Sequence, residues 1–219
     1  MAVKEFHDLA ELQLNINPLN GDVESSWGNL GYWSNSLNNH SGGITYSQAC
    51  NALATKVGNM ADLDAGHSLL DTGFGCGDQL LVWLEQFNIK SLTGINLSAS
   101  QTQYAKEKIN TANIPKDIVC QLETGDVCSD IAWQSINKKF DRIIALDCIY
   151  HFSDKSRYLS QCEKHLKENG ALVVTDLLLN TSSLKIWHKL ILKLICYFSH
   201  IPFNNIKTIS AYQQELQTL

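Results

Sequence analysis

The 219-residue chain has 44% hydrophobic and 18% charged residues, a composition that excludes intrinsic disorder and fits one globular domain. Its formal net charge of −5 and its lack of a basic stripe argue against nucleic acid as a partner, because phosphate neutralisation supplies most of that affinity. Seven cysteines without a CxxC pair indicate free thiols in a reducing compartment, and charges interrupt any apolar leader, so we expect a cytoplasmic protein.

The first 64 residues are predicted to form a cap of helices and loops. Residues 1–19 carry a weak helical pattern, and residues 20–43 form a loop rich in Gly, Asn and Ser that also carries aromatic side chains. A helix over Tyr46–Met60 follows. This cap (1–64), a core over 65–177 and a C-terminal segment over 178–219 together make one predicted domain.

Strands and helices alternate through the core. Apolar runs predict strands over 68–71, 91–95, 117–122, 141–146 and 171–175, and helical spacing predicts helices over 78–87, 98–109 and 153–166. Asn169-Gly170 is the predicted stop signal after the last of these helices. Apolar strands alternating with helices indicate an α/β fold with a doubly wound, mostly parallel sheet. Such sheets bind ligands at the carboxyl ends of their strands.

A glycine loop follows the first strand and opens the next helix. Gly73, Gly75 and Gly77 have the spacing G-x-G-x-G, which permits a tight turn and lets a ligand approach the backbone. The dinucleotide fingerprint G-x-G-x-x-G would need glycine at position 78 or 80, where Asp78 and Leu80 stand. The spacing therefore argues against a nicotinamide-dependent oxidoreductase.

The element that begins at Asp71, D-x-G-x-G-x-G, resembles the first motif of class I S-adenosylmethionine-dependent methyltransferases. Residues 94–105, 123–127, 140–152 and 166–174 are similar, in order, to the next four motifs of that class. The second motif looks like that of the small-molecule group with tocopherol, sterol and cyclopropane-synthase-like enzymes. The resemblance implies a Rossmann-like fold, S-adenosylmethionine as cofactor and S-adenosylhomocysteine as product.

The resemblance also implies where the cofactor binds. The implied contacts are Asp71, Gly73, Phe74, Gly75, Gly77 and Gln79 in the glycine loop, Asn96, Leu97, Ser98 and Gln101 after the second strand, Gly125, Asp126 and Val127 after the third, Ala145 and Asp147 at the fourth, and Tyr32 and Trp33 in the N-terminal loop. Asp126 would bind the adenine amino group, and Tyr32 would reach the methionine carboxylate.

Asn96 departs from the family pattern, in which an Asp or Glu holds the ribose hydroxyls. A neutral hydrogen bond contributes about 0.5–1.5 kcal/mol, against about 1.5–3 kcal/mol for a charged one. We therefore expect weaker cofactor binding than usual, and Asn96→Asp is expected to hold or improve the affinity.

Methyl transfer mainly needs alignment of the acceptor with the sulfonium carbon, so no metal or covalent residue is expected. The catalytic candidates are His151, Tyr150 and Asp147, which follow the fourth strand. His151 is a candidate general base, and the alternative that it only caps or packs the following helix stays open. Asp147 could instead orient the methionine end of the cofactor.

Residues 178–219 are predicted to be mainly helical. Lys185, Lys189 and Lys193 lie on one stripe of an otherwise apolar helix, which is too short and too charged to cross a membrane. In the resembled group this segment is a substrate lid, which implies a hydrophobic or aromatic small-molecule acceptor. A core helix and a peripheral membrane contact through 184–203 remain alternatives.

The C-terminal sequence departs from the seven-stranded pattern of the class, whose last two strands form an antiparallel hairpin. Residues 210–219 have a helical pattern instead, so the sheet is expected to have about five strands. A catalytically inactive cofactor-binding or partner module on the same fold therefore remains an alternative function. Both a monomer and a homodimer are compatible with the sequence.

Overall fold

A computed structural model describes residues 26–33, 44–180 and 184–217. Its helices are α1 (Tyr46–Met60), α2 (Asp78–Leu81, continued by a π-helical turn over Val82–Gln86), α3 (Ala99–Thr111), α4 (Asp130–Trp133), α5 (Lys155–His165), α6 (Ile186–Phe198) and α7 (Ile209–Leu216). Its strands are β1 (Ser68–Thr72), β2 (Ser91–Asn96), β3 (Val119–Thr124), β4 (Phe140–Ala145), β5 (Leu166–Val174), β6 (Leu178–Leu179) and β7 (Lys207–Thr208). The helix predicted within 1–19 lies outside the described residues.

Strands β1 to β5 form one parallel sheet in the order β3-β2-β1-β4-β5. The strand order reverses direction between β1 and β4, so the switch point, where such sheets bind ligands, lies at their carboxyl ends. The predicted Rossmann-like, doubly wound α/β fold is confirmed. In the described part of the chain β6 and β7 pair separately as a short parallel ladder, and no antiparallel hairpin extends the sheet.

The sheet separates two hydrophobic clusters. Leu69 of β1 and Ile144 of β4 face the cluster that contains Trp83, whereas Leu70 and Ile143 face the opposite cluster. Because successive side chains of a strand point to opposite faces, this alternation means that both faces are buried. Because both faces of the sheet are buried, its strands appear in the sequence as continuous apolar runs.

Local signals explain where the helices begin. Thr45 caps α1 through a reciprocal pair of hydrogen bonds with Gln48, and the Ser98 side chain accepts a hydrogen bond from the Gln101 backbone N–H at the start of α3. Helix α5 ends within one residue of its predicted end at 166, but the predicted stop signal Asn169-Gly170 is not its cap. Asn169 has a left-handed φ of 64°, but it lies in an irregular stretch of β5, because the helix already ends at His165.

Helix α6 lies on the surface, which contradicts the alternative of a core helix. Trp187 and Tyr197 are 71% and 75% exposed, and Cys196 is the one buried residue within this helix. The exposed apolar side chains of α6 are Ile186, Trp187, Leu190, Ile191, Leu194, Ile195, Tyr197 and Phe198. The chain passes directly from α6 to His200 and Pro202 in the wall of the cavity described next.

Candidate active site

A cavity of about 290 Å³ lies at the carboxyl ends of β1 to β4, where the fold places ligands. Of the residues predicted for the site, its wall contains Gly73, Phe74, Gly75, Gly77, Gln79, Asn96, Leu97, Ser98, Gln101, Gly125, Asp126, Val127, Asp147, Tyr150 and His151. We call the part built from 73–101 and 125–127 the glycine-loop end. The part built from 147–153 and 200–202 is the histidine end.

All three glycines of the loop have left-handed backbone angles, with φ of 83° at Gly73, 55° at Gly75 and 89° at Gly77. A Cβ on Gly73 would lie 2.7 Å from the sulfur of Cys148, and one on Gly77 would lie 2.7 Å from the Cβ of Ala105. Glycine at 73 and 77 is therefore required by packing within the protein as well as by φ. Neither position needs a ligand to explain it.

Asp71 lies behind the loop rather than on the cavity wall. It is fully buried at the end of β1, where it accepts hydrogen bonds from Gln79 Nε2 at 3.0 and 2.9 Å and from Trp83 Nε1 at 2.6 Å. Burial raises the pKa of Asp71 to about 6, and these two donors partly offset that effect. Asp71 therefore holds the loop to α2 and its π-helical turn. The buried Ala145 does not reach the wall either.

Asn96 connects the ends of β1 and β2 through its side-chain amide. Its Oδ1 accepts from the Gly75 backbone N–H at 3.3 Å. Its Nδ2 donates to Gln101 Oε1 at 3.0 Å and to the Ser98 carbonyl at 3.3 Å. The amide thus uses both its acceptor and its donors, and a carboxylate could not make the bond to the Ser98 carbonyl.

Asp126 and Val127 follow β3 on the opposite side of the glycine-loop end. Asp126 Oδ1 accepts from the Cys128 backbone N–H at 2.8 Å, which fixes the turn. The Val127 carbonyl accepts from Trp133 Nε1 at 2.9 Å, so α4 also holds this turn in place. A carboxylate and an apolar side chain are thereby presented together to the cavity.

The N-terminal loop contributes to the wall, but through residues other than those predicted. Tyr32 and Trp33 are 37% and 51% exposed and do not line the cavity. Tyr32 packs under the Lys56 ammonium, and Trp33 Nε1 donates to the Leu30 carbonyl at 2.8 Å. The wall instead receives residues 26–29, including the buried Trp27. No motif in the sequence indicated this segment.

Asp147 joins the N-terminal loop to the end of β4. Its Oδ2 accepts from the Leu30 backbone N–H at 2.5 Å, and its own N–H donates to Thr175 Oγ1 at 2.6 Å. The residue has a left-handed φ of 54°, which is uncommon for a side chain other than glycine. Burial raises the pKa of Asp147, and hydrogen bonds from Leu30 and Tyr150 oppose that rise.

The histidine end brings together residues that are far apart in the sequence. The rings of Tyr150 and His151 lie 4.5 Å apart between centroids, and His151 Nδ1 lies 3.5 Å from the His200 carbonyl. Phe152 and Pro202 add apolar surface to the same wall. The sequence predicted Tyr150 and His151 from their place after a strand, but no local signal identified residues 200–202.

A buried ion pair between Lys155 and Asp176 lies next to the histidine end and supports it. Lys155 Nζ lies 2.5 Å from Asp176 Oδ2, and both side chains are almost completely buried. Lys155 also donates to the Asn205 carbonyl at 3.4 Å. Burial and the neighbouring Asp176 raise the pKa of Tyr212, which lies beneath the same ammonium. The pair ties α5, the end of β5 and the C-terminal segment together.

Within residues 26–33, 44–180 and 184–217, no group of three or more His, Cys, Asp or Glu side chains is arranged to hold a metal ion. None of the helices in those ranges is both long and apolar enough to cross a bilayer.

Comparison with known proteins agrees with the geometry. The chain is 26% identical over 156 residues to erythromycin 3''-O-methyltransferase of Saccharopolyspora erythraea, an alignment that covers 71% of this chain and 47% of that enzyme. A mycolic acid cyclopropane synthase complexed with SAH and CTAB superposes with a TM-score of 0.72 at 17% identity, over 97% of this chain and 71% of the other. The cyclase SpnF superposes with a TM-score of 0.74 at 22% identity, over 99% and 70%.

The chain spans about half the length of the curated relatives that it matches, 47% and 54% for two of them. The sequence model of the mycolic acid cyclopropane synthetase family matches residues 27–211, which includes both ends of the cavity. The resemblance to small-molecule class I methyltransferases is confirmed by this match and by the fold. The chain belongs to the mycolic acid cyclopropane synthetase family.

Proposed function

We propose that this protein transfers a methyl group from S-adenosylmethionine to a small apolar acceptor. The observation that carries the proposal is the single continuous cavity, which has the glycine loop, Asn96 and Asp126 at one end and Tyr150 and His151 at the other. A cofactor at the glycine-loop end would direct its methyl group towards the histidine end. The name of one relative, erythromycin 3''-O-methyltransferase, adds support because it describes a methyl transfer.

The donor groups at the glycine-loop end fit the proposed cofactor. The left-handed Gly75 keeps the backbone open in front of Asn96, whose Oδ1 accepts one hydrogen bond within the protein and would accept a second from a ribose hydroxyl. Asp126 offers a carboxylate for an amino group, and Val127 offers an apolar surface for an adenine ring. When bound, S-adenosylmethionine supplies a methyl group on a sulfonium centre that leaves readily.

The residues of the chain then have to align the acceptor and manage its proton. Alignment of two reactants can contribute about 7–11 kcal/mol of the barrier, and a general base adds about 10²–10⁴-fold. His151 is the proposed base and Tyr150 the residue that orients it through ring contact. Asp147, held by Leu30 and Thr175, would orient the methionine end of the cofactor.

The acceptor is proposed to be hydrophobic or aromatic. The wall near His151 is formed by Tyr150, Phe152 and Pro202. The exposed apolar face of α6 lies directly before this wall in the chain, and large apolar patches usually mark a ligand or partner surface. We therefore propose that α6 acts as a lid that receives the acceptor.

Binding and turnover test the proposal separately. Calorimetry should show S-adenosylhomocysteine binding to the purified chain, and incubation with S-adenosylmethionine carrying a labelled methyl group should label apolar acceptors such as phenols, amines and prenylated compounds. His151→Gln should retain binding and lose most of the transfer. Absence of S-adenosylhomocysteine binding at millimolar ligand would contradict the assignment.

A catalytically inactive cofactor-binding module is the second candidate. The cyclase SpnF has this fold and a name that describes another reaction, and Asn96 replaces the acidic residue usual in the class. Binding of S-adenosylhomocysteine without labelling of any acceptor would favour this inactive module.

We further propose a cytoplasmic location, because five of the seven cysteines are buried free thiols. Vesicle flotation and light scattering would test peripheral membrane contact through 184–203 and distinguish monomer from homodimer.

A further inference from the structure

Asn205 contacts the backbone on both sides of His151. Its side-chain Nδ2 donates to the Tyr150 carbonyl at 3.0 Å and to the Phe152 carbonyl at 2.7 Å. These are the two hydrogens of one amide group, so the contact fixes the orientation of the peptide unit before His151 and of the one after Phe152. Asn205 is itself buried, whereas its neighbour Asn204 is exposed.

The position of Asn205 is in turn fixed by the buried ion pair. Its carbonyl accepts from Lys155 Nζ at 3.4 Å, and Lys155 is paired with Asp176. Its backbone N–H donates to the Pro202 carbonyl at 2.8 Å, which closes the 3-10 turn over Phe203–Asn205. The amide of Asn205 therefore stands on a rigid support that links α5, the end of β5 and the segment after α6.

The same segment supplies the partner of the His151 ring. His151 Nδ1 lies 3.5 Å from the carbonyl of His200, three residues before Phe203. Because a carbonyl oxygen can only accept, a hydrogen bond between these atoms forms only in the tautomer with the proton on Nδ1. In the neutral imidazole the lone pair is then on Nε2, which is the form that can take a proton from an acceptor.

We propose that Asn205 is a positioning residue for His151: by fixing the 150–152 backbone relative to His200, it selects the tautomer with the proton on Nδ1 and keeps Nε2 as the basic nitrogen. This inference rests on the proposed function for its catalytic meaning. The tautomer itself is a property of the protein without ligand, so it is tested independently of any reaction.

Nitrogen-15 NMR of the imidazole rings provides the test. Spectra of the full chain at pH 8, without ligand, are recorded for the native protein and for Asn205→Asp, with Asn204→Asp as the matched control at the exposed neighbour. The His151 signals are assigned by their loss in His151→Gln. Asn205→Asp keeps the size of the side chain but replaces both donor hydrogens by an acceptor that faces two carbonyls.

The native protein and Asn204→Asp should show His151 with its proton on Nδ1, and Asn205→Asp should show a mixture of both tautomers. S-adenosylhomocysteine affinity should be the same in all three, because the hydrogen bonds of Asn205 go to residues outside the glycine-loop end. A native His151 protonated on Nε2, or an unchanged tautomer in a folded Asn205→Asp, would overturn the proposal. Loss of ligand binding in Asn205→Asp alone would also overturn it, since Asn205 would then support the whole cavity. If Asn205→Asp does not fold, the tautomer of His151 in the native spectrum decides whether the proposal stands.

Should the native chain fail to bind S-adenosylhomocysteine while His151 carries its proton on Nδ1, the proposed function fails and the positioning role stands. The reverse result, binding with the other tautomer, removes only the positioning role. The two proposals are thereby distinguished in one set of samples.

Discussion

At the glycine-loop end of the cavity, the wall is built from short segments that each follow a strand, within residues 73–101 and 125–127. The histidine end instead joins 147–153 to 200–202 through side-chain contacts that span about fifty residues, such as those of Asn205 with Tyr150 and Phe152. One end is thus local and carried mainly by backbone geometry. The other depends on long-range contacts supported by a buried ion pair.

The largest effect is expected from breaking that ion pair. Lys155→Met should destabilise the fold by about 3–5 kcal/mol, because it leaves the buried Asp176 carboxylate without a partner. Urea unfolding followed by circular dichroism measures the change. Lys90→Met removes the exposed pair with Asp117 and should leave the unfolding midpoint nearly unchanged. Equal losses in the two variants would contradict the view that the buried pair, unlike the exposed one, supports the fold.

Gly75→Val tests the glycine-loop end alone. Valine is disfavoured at a φ of 55° and would place a branched side chain at the cavity wall, so S-adenosylhomocysteine affinity should fall at least about 100-fold, or about 2.7 kcal/mol. Calorimetry measures the affinity, and Gly66→Ala in an exposed turn is the control. A folded variant with native affinity would show that the ligand binds elsewhere.

Asn96→Asp should change S-adenosylhomocysteine affinity less than Gly75→Val does. The sequence alone suggests a gain in affinity, whereas the structure indicates a loss. The family pattern suggests that a carboxylate improves binding, but the Asn96 amide donates to the Ser98 carbonyl, which a carboxylate would repel. Loss of one neutral hydrogen bond costs about 0.5–1.5 kcal/mol, so affinity should fall up to about tenfold. Asn110→Asp on the exposed end of α3 is the control. Tighter binding by Asn96→Asp would mean that the ribose contact dominates.

Trp187→Ala should have the smallest effect on stability. Because the side chain is 71% exposed, the free energy of unfolding should change by less than about 0.5 kcal/mol. Trp83→Ala, in the core, should cost about 3–5 kcal/mol by comparison. Thermal melting of both variants measures the difference. A steep loss in Trp187→Ala would contradict the assignment of α6 to the surface.

The contrast between the two ends also explains how much could be predicted from the sequence. The fold follows from apolar runs and the glycine loop from its spacing, whereas the other residues of the glycine-loop end follow from the resemblance of short segments to family motifs; all of these are local signals. Asp71 was placed on the wall because it belongs to the same motif, yet Gln79 and Trp83 hold it behind the loop. Residues 26–29 and 200–202 could not be predicted, since tertiary contacts alone bring them to the cavity.

The hydrogen bond between Leu30 and Asp147 joins residues 117 positions apart and connects the N-terminal loop to the end of β4. Residues 26–29 of that loop form one side of the cavity. We expect this side to move outward when a molecule as large as the proposed cofactor leaves. We therefore expect the rate of exchange between spent and fresh cofactor to depend on how often the bond opens. Turnover would then be limited by release as well as by chemistry.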